Sequence, residues 1–293
     1  MGREGRTIKI VLLLGIIAAL GGVRTFRPLG AVLALAPAID LEGEGRTIRV
    51  LTWNVGEAYG GGDSRAKDSS LERVAQVIEM ERPDVVTLQE LAGRQQLGSL
   101  LRRLGGGYEG FLEESGDTDR HTAVLARGSK VEFRALETST GRGASAAIFL
   151  LARSQLRICA VSAHADAWDP ESRRQYAREL VDWGRRQDFD VVFLAGDFNF
   201  ASGSEGQADS LFSQNQATDT AAYAYVTEHF RDLGRDGGET ALLGRRIDYV
   251  FSRGGSVKVK RVAVLKGQRA GRMDHNPLVV DVLIPKPMIL TRR

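Results

Sequence analysis

From Thr47 onward, short apolar runs alternate with stretches whose apolar residues recur at helical spacing. Ile48, Val50 and Leu51 open a strand that ends near Asn54, and a glycine-rich loop, Tyr59 to Asp63, follows it. Leu71, Val74, Val77 and Ile78 predict one apolar face of a helix; Pro83 breaks it, and Asp84 to Glu90 reads as a buried strand. Further strands are predicted over Ala123–Ala126, Ala146–Leu151, Leu156–Ser162, Val191–Ala195, Ile247–Phe251, Val257–Leu265 and Pro277–Val282. Tyr176, Leu180 and Trp183 share one face of a helix between two of them. Strand and helix interleave without a second break in composition, which predicts one α/β domain over residues 46–286, with 287–293 as a tail.

The first 45 residues follow a different pattern. Arg3, Arg6 and Lys9 lead into an apolar run from Ile10 to Val23; Arg24 to Pro28 interrupt it, and a second run extends from Leu29 to Ile39. As a helix the first run reaches about 21 Å against a hydrocarbon core of about 30 Å, short for a full span. It fits a secretory signal or short membrane anchor, with residues 10–39 in contact with the membrane and 40–46 as a polar bridge. A membrane-anchored or secreted, extracytoplasmic protein is expected. Ala34, Ala36 and Ala38 have cleavage-site spacing, although Pro37 directly follows Ala36.

Composition narrows the class. At 293 residues, 43% hydrophobic and 26% charged, the chain is globular, neither disordered nor fibrous. Its single cysteine, Cys159, excludes an internal disulfide and a multi-thiolate zinc site, and its apolar setting predicts a plain buried thiol. Forty basic residues against 37 acidic leave a net charge of +3, which is no electrostatic footprint for nucleic acid. Most of the basic residues are arginine, whose fork matches phosphate but which here accompanies 34 glycines and abundant alanine as a compositional trend.

Candidate chemistry lies where polar residues end the apolar strands. Asp197 and Asn199 follow Val191–Ala195 and lie two apart, so an extended chain presents both to one side. Glu90, Asn54 and His164 end three other apolar runs, and strand ends are where α/β folds gather their sites. Asp248 interrupts an apolar strand, a costly place for a carboxylate without a partner, and His275 in Met273–Pro277 is a candidate partner. An aspartate bonded to a histidine fixes its tautomer and raises its basicity, the logic of a general base. Of the four histidines, His121 and His229 lack this setting and are expected to be structural or on the surface.

Six segments together resemble the endonuclease/exonuclease/phosphatase superfamily of metal-dependent phosphoesterases: Thr52-Trp53-Asn54, Leu88-Gln89-Glu90, Ser162-Ala163-His164, Gly196-Asp197-Phe198-Asn199, Arg246 to Phe251 and Asp274 to Leu278. They occur in family order from Thr52 to Val282. The resemblance implies a four-layer α/β sandwich, two packed mixed β-sheets flanked by helices, with the site at one edge. It implies a divalent cation, Mg2+ first and Mn2+ second, held by Glu90, with Asn54 helping to hold the metal or a phosphate oxygen and Asp274 as a further ligand or a support behind the ligands. His275 with Asp248 would activate or position the attacking water, His164 would donate to a phosphate or leaving oxygen, and Asp197 with Asn199 would orient the nucleophile and stabilise charge. Arg142 is a candidate phosphate contact or a solvated turn residue. Some relatives carry an acid two positions after the Asn54 counterpart; here that position is Gly56, with Glu57 next, so the resemblance gives that loop no metal role.

The function expected is hydrolysis of phosphodiester or phosphomonoester bonds, endonuclease-like, on a nucleic acid or a phospholipid head group. A sphingomyelin-type phosphodiesterase, an inositol phosphatase and a non-catalytic scaffold of the same fold are the alternatives. The sequence identifies no protein partner.

Overall fold

The computed structural model describes residues 45–57, 65–114, 120–128, 130–151, 156–202 and 216–285. The chain divides into two units, Met1–Asp40 and Leu41–Arg293, and every described residue belongs to the second. Residues 1–44 of the expected 1–45 leader and linker, the Tyr59–Asp63 loop and the tail lie outside the described residues. Among those described, no helix is long and apolar enough to cross a membrane.

In chain order the elements are β1 (Arg46–Asn54), α1 (Leu71–Glu81), β2 (Val85–Leu91), α2 (Arg94–Arg103), β3 (Glu109–Glu113), β4 (His121–Ala126), β5 (Glu132–Leu136), β6 (Ala144–Leu150), β7 (Arg157–His164), α3 (Pro170–Arg186), β8 (Val191–Asp197), α4 (Gln216–His229), β9 (Arg231–Asp232), β10 (Asp248–Arg253), β11 (Lys258–Val264) and β12 (Leu278–Ile284). Each predicted strand is present, with ends moved by at most two residues. β3, β5, β9, α2 and α4 are additional; the first three are short edge or paired strands without a clear apolar run of their own.

Two six-stranded sheets form, ordered β11-β12-β1-β2-β4-β3 and β5-β6-β7-β8-β10-β9. Alternation along the strands explains the layering. Ile48 and Val50 of β1 meet Ile158 and Ala160 of β7 and Phe193 of β8 between the sheets, whereas Leu51 and Trp53 face α1 and α2. On the other sheet Cys159, Val161 and Ala163 face α3 and α4. The result is a helix, sheet, sheet, helix sandwich. Cys159 is the buried thiol expected, and burial pushes it up to about 12.

Each sheet contains one parallel pair, β1 with β2 and β7 with β8, bridged by α1 and α3 respectively. Parallel strands end together, so Asn54 and Glu90 emerge side by side, and His164 lies opposite Asp197 in register. Antiparallel neighbours begin where these end: Asp248 opens β10 opposite Asp197, and β12 begins at Leu278, opposite Thr52. One edge of the sandwich therefore collects every strand end named in the sequence.

Candidate active site

Backbone irregularities aim the side chains. The β2–β4 register shifts between Leu88 and Leu91, and within that bulge Glu90 adopts a left-handed conformation (φ 65°). Asn199 is also left-handed (φ 53°), a conformation that asparagine tolerates, and its Nδ2 donates to Ala165 O at 3.2 Å. Gly196 has φ +153°, and a Cβ there would stand 2.0 Å from Ala163 O; only glycine lets β8 approach β7 at the step before Asp197. Such departures cluster at sites where surrounding structure over-determines them.

Asp197 is the hub. Its Oδ2 accepts from Asn54 Nδ2 at 3.0 Å and lies 3.8 Å from His164 Nε2 and 3.7 Å from His275 Nε2. Its Oδ1 accepts from Asn199 N at 3.0 Å. The Asn54 amide also donates to Glu90 Oε1 at 3.2 Å, and Asn54 Oδ1 accepts from Gly56 N at 2.9 Å. His164 Nε2 lies 3.6 Å from Glu90 Oε1. His275 Nδ1 and Asp248 Oδ2 are 2.8 Å apart. Asp274 sits at the margin, with Oδ1 3.9 Å from His275 Nε2 and Oδ2 3.4 Å from Arg245 Nη2. All of these residues except Asp274 are buried.

Burial and charge set the two histidines apart. His164 is pushed down to about 4 because burial disfavours its cation more than Asp197 favours it. His275 suffers the same burial, but the carboxylates of Asp248 and Asp197 and the Asp248 hydrogen bond outweigh it and raise it to about 10. Burial lifts Asp197 above the ordinary carboxylate range despite the attraction of His275. It lifts Glu90 to about 7, against the hydrogen bond from Asn54 and the charge of Arg120.

Glu90 has a further mark. Its Oε2 is buried without a hydrogen-bond partner. A buried carboxylate with one oxygen unsatisfied is an unfavourable arrangement that a hard divalent cation relieves, so the donor set fits such an ion. Asp197, Asp248 and His275 also bring ligand atoms within 4.8 Å of one another and could hold a metal, although His275 Nδ1 is already engaged by Asp248. Glu57 takes no part in this cluster: it accepts from Ser70 Oγ at 2.5 Å and Arg272 N at 3.1 Å.

Arg142 lies beside the cluster. It lines a cleft with Glu113, Arg120, His121, Thr122 and His164, and its Nη2 pairs with Asp166 Oδ2 at 2.8 Å. Behind it Arg173 donates to Asp166 O at 3.1 Å and pairs with Asp219 at 2.7 Å, both side chains fully buried. Tyr176 OH accepts from His164 N and donates to Gly143 O, each at 3.1 Å, joining the end of β7 to the residue after Arg142. His121, expected to be structural or on the surface, opens β4 and lines this cleft; His229 ends α4, 3.4 Å from Arg185.

Sequence reading did not single out Arg120, Thr240 or the Gln89–Ser162 pair. Arg120 stands just before an apolar strand, a position that could have marked it. Gln89 Nε2 donates to Ser162 Oγ at 3.1 Å, and Ser162 Oγ donates to Leu88 O at 3.0 Å, a polar tie between the sheets beneath the site. No local pattern announces a tie between residues so far apart in the chain.

Comparison with known proteins identifies the family and the fold. A family model described as Endonuclease/Exonuclease/phosphatase family matches residues 51–270. Among solved structures, an endonuclease/exonuclease/phosphatase from Bacteroides vulgatus superposes with a TM-score of 0.64 at 19% identity, covering 82% of this chain and 99% of that one. The human Nocturnin catalytic domain with bound sulfate gives 0.63 at 17%, covering 81% and 94%. A mannosyl-6-phosphatase from Bacteroides thetaiotaomicron gives 0.58 at 19%, covering 81% and 100%. No curated protein sequence matches significantly.

Proposed function

The chain belongs to the endonuclease/exonuclease/phosphatase family of phosphoester hydrolases, and from that premise we propose that it is a Mg2+- or Mn2+-dependent phosphodiesterase acting on nucleic acid outside the cytoplasm. The observation that carries the reading is the single buried cluster in which Glu90, Asn54, His164, Asp197, Asp248 and His275 converge from both sheets. Glu90 would hold the cation, with Asn54 beside it. When bound, such an ion stabilises charge on phosphoryl oxygens. Asp274, tied to Arg245, is a candidate to support it from the margin.

The protein groups divide the remaining work by their protonation. Asp197 faces both imidazoles with a carboxylate of raised affinity for protons, so it accepts the proton of the attacking water. Asn199 keeps Asp197 oriented through its N–H. His275, held as an imidazolium by Asp248 and Asp197, donates to a phosphoryl oxygen in the transition state. His164, neutral, donates from Nε2 to a phosphate or leaving oxygen. This moves water activation from His275, where the motif reading put it, to Asp197. A non-catalytic scaffold would have no use for five buried ionisable groups at one edge, three of which (Glu90, His164 and Asp248) keep a buried polar atom without a hydrogen-bond partner.

Nucleic acid is favoured over a choline-bearing lipid by the cleft beside His164. Two arginines, Arg120 and Arg142, line it with one carboxylate, Glu113. A flanking phosphate suits arginine, whereas a quaternary ammonium does not. The extracytoplasmic placement rests on the apolar runs of residues 10–39. A panel of plasmid DNA, RNA, sphingomyelin and inositol phosphates, with Mg2+ and then with chelator, tests the proposal. Mg2+-dependent cleavage of DNA or RNA supports it; turnover confined to sphingomyelin or inositol phosphates overturns the substrate, and no turnover of any phosphoester overturns the activity.

A further inference from the structure

The bond between Asp248 and His275 joins two different sheets: Asp248 opens β10, and His275 leads into β12. Packed sheets touch through side chains, so their relative register at this edge needs a fixed point of its own. A segment between β9 and β10 supplies it.

Thr240 is completely buried. Its Oγ1 accepts from both Ile247 N and Asp248 N, each at 3.1 Å, so one hydroxyl holds the amide that opens β10 and the amide just before it. Its carbonyl accepts from Asn276 N at 2.6 Å and Asn276 Nδ2 at 3.4 Å, on the residue after His275. Its own N–H donates to Arg245 O at 2.9 Å, which closes the segment into a loop. The next residue, Ala241, forms an isolated bridge with His275, and Leu242 N donates to Asp274 O at 2.8 Å.

We propose that Thr240 is the positioning residue of the Asp248–His275 pair: side-chain oxygen on one partner's strand, backbone oxygen on the other's turn, the two separated by a few bonds of one residue. This rests on the reading that the pair serves hydrolysis, but the geometry it asserts can be observed without turnover. Because two N–H groups share one hydroxyl acceptor, serine can replace threonine and valine cannot. Valine has the shape but leaves both amides buried with no acceptor.

The test compares Thr240→Ser and Thr240→Val in the full chain, with folding checked by circular dichroism. The imidazole Nδ1–H resonance of His275 is followed by NMR after labelling histidine with 15N. Thr240→Ser is expected to keep the downfield resonance and the wild-type kcat. Folded Thr240→Val is expected to lose or shift the resonance and lower kcat by at least about 10-fold with KM within about two-fold. An unchanged resonance in folded Thr240→Val, or equal damage from serine and valine, overturns the proposal. Should valine prevent folding, amide exchange in the wild-type protein decides: Ile247 and Asp248 N–H groups exchanging as slowly as the interior of β10 support the clasp, and fast exchange overturns it. Loss of the proposed nuclease activity alone leaves both NMR readouts intact, so the two failures are distinguishable.

Discussion

His275 Nδ1 stands 2.8 Å from Asp248 Oδ2, and Asp248 stands in register with Asp197, whose own carboxylate lies 3.7 Å from the opposite nitrogen of the same ring. The imidazole is thus held between two buried carboxylates. Its proton-binding strength is a product of both, and removing one charge tests the arrangement.

Asp248→Asn keeps an oxygen acceptor for Nδ1–H but removes the charge. His275 should then titrate well below its present value of about 10, and kcat should fall by roughly 10²- to 10⁴-fold. NMR titration of the ring, with steady-state kinetics beside it, reads both. An unchanged His275 titration would show that the carboxylate contributes little to it.

Glu90 predicts a pH-dependent penalty. Its carboxyl binds a proton more tightly in the folded chain, at about 7, than in the unfolded one, where it has the ordinary value of 4.5. The folded state therefore binds more protons between these values, and this group's contribution to stability falls as pH rises through that window, by about 3 kcal/mol in all. Glu90→Gln removes the penalty. The melting temperature of Glu90→Gln minus that of wild type should grow from about pH 5 to about pH 8 in chelator. Mg2+ should raise wild-type stability more at the higher pH and leave Glu90→Gln unmoved. His164 acts in the opposite direction between about 4 and 6.5, which is why the difference between the two proteins is the quantity to measure.

Much of this was legible in the sequence because the site lies at strand ends, where a polar residue after an apolar run is conspicuous. Asn54, Glu90, His164 and Asp197 all stand out in this way. Asp248 was visible as a carboxylate inside an apolar strand, and its partner followed from the few histidines available. The ties that hold the arrangement were not legible. Gln89 with Ser162, and Thr240 with Asp248 and Asn276, are ordinary polar residues whose roles arise from pairing between distant segments. The edge strands β3 and β5 were missed because partly exposed strands carry weak apolar patterns. Protonation was also beyond sequence reading: His164 and His275 both follow family motifs, and what separates them, beyond the burial both share, is the surroundings of each ring, with Arg142, His275 and Arg120 acting against a cation on His164 while Asp248, Asp197 and the Asp248 hydrogen bond favour one on His275.

Arg173 and Asp219 form a completely buried ion pair whose other contacts hold the 165–168 turn behind Arg142. Asp219→Ala leaves the guanidinium uncompensated and should cost about 3–5 kcal/mol in chemical denaturation. Replacing Arg173 and Asp219 together with Met and Leu should be far milder. Equal losses in the single and double variants would show that the uncompensated charge is not what costs stability.

Arg142→Ala should raise KM for an oligonucleotide by about 10-fold or more, and change it much less for a small phosphodiester with one phosphate. The comparison uses the two substrates in one buffer, because screening alters such contacts. Equal effects on both would place Arg142 at the scissile phosphate instead of a flanking one.

On the proposed function, Glu90 and Asp197 work in one metal-dependent hydrolytic centre. The most direct measurement is cleavage of DNA at saturating Mg2+ by wild type, Glu90→Gln and Asp197→Asn, each first shown to be folded. Wild type is expected to cleave in a Mg2+-dependent way that chelator abolishes, with losses of at least about 10²-fold in both variants. Folded Glu90→Gln or Asp197→Asn cleaving at the wild-type rate would contradict the proposed centre.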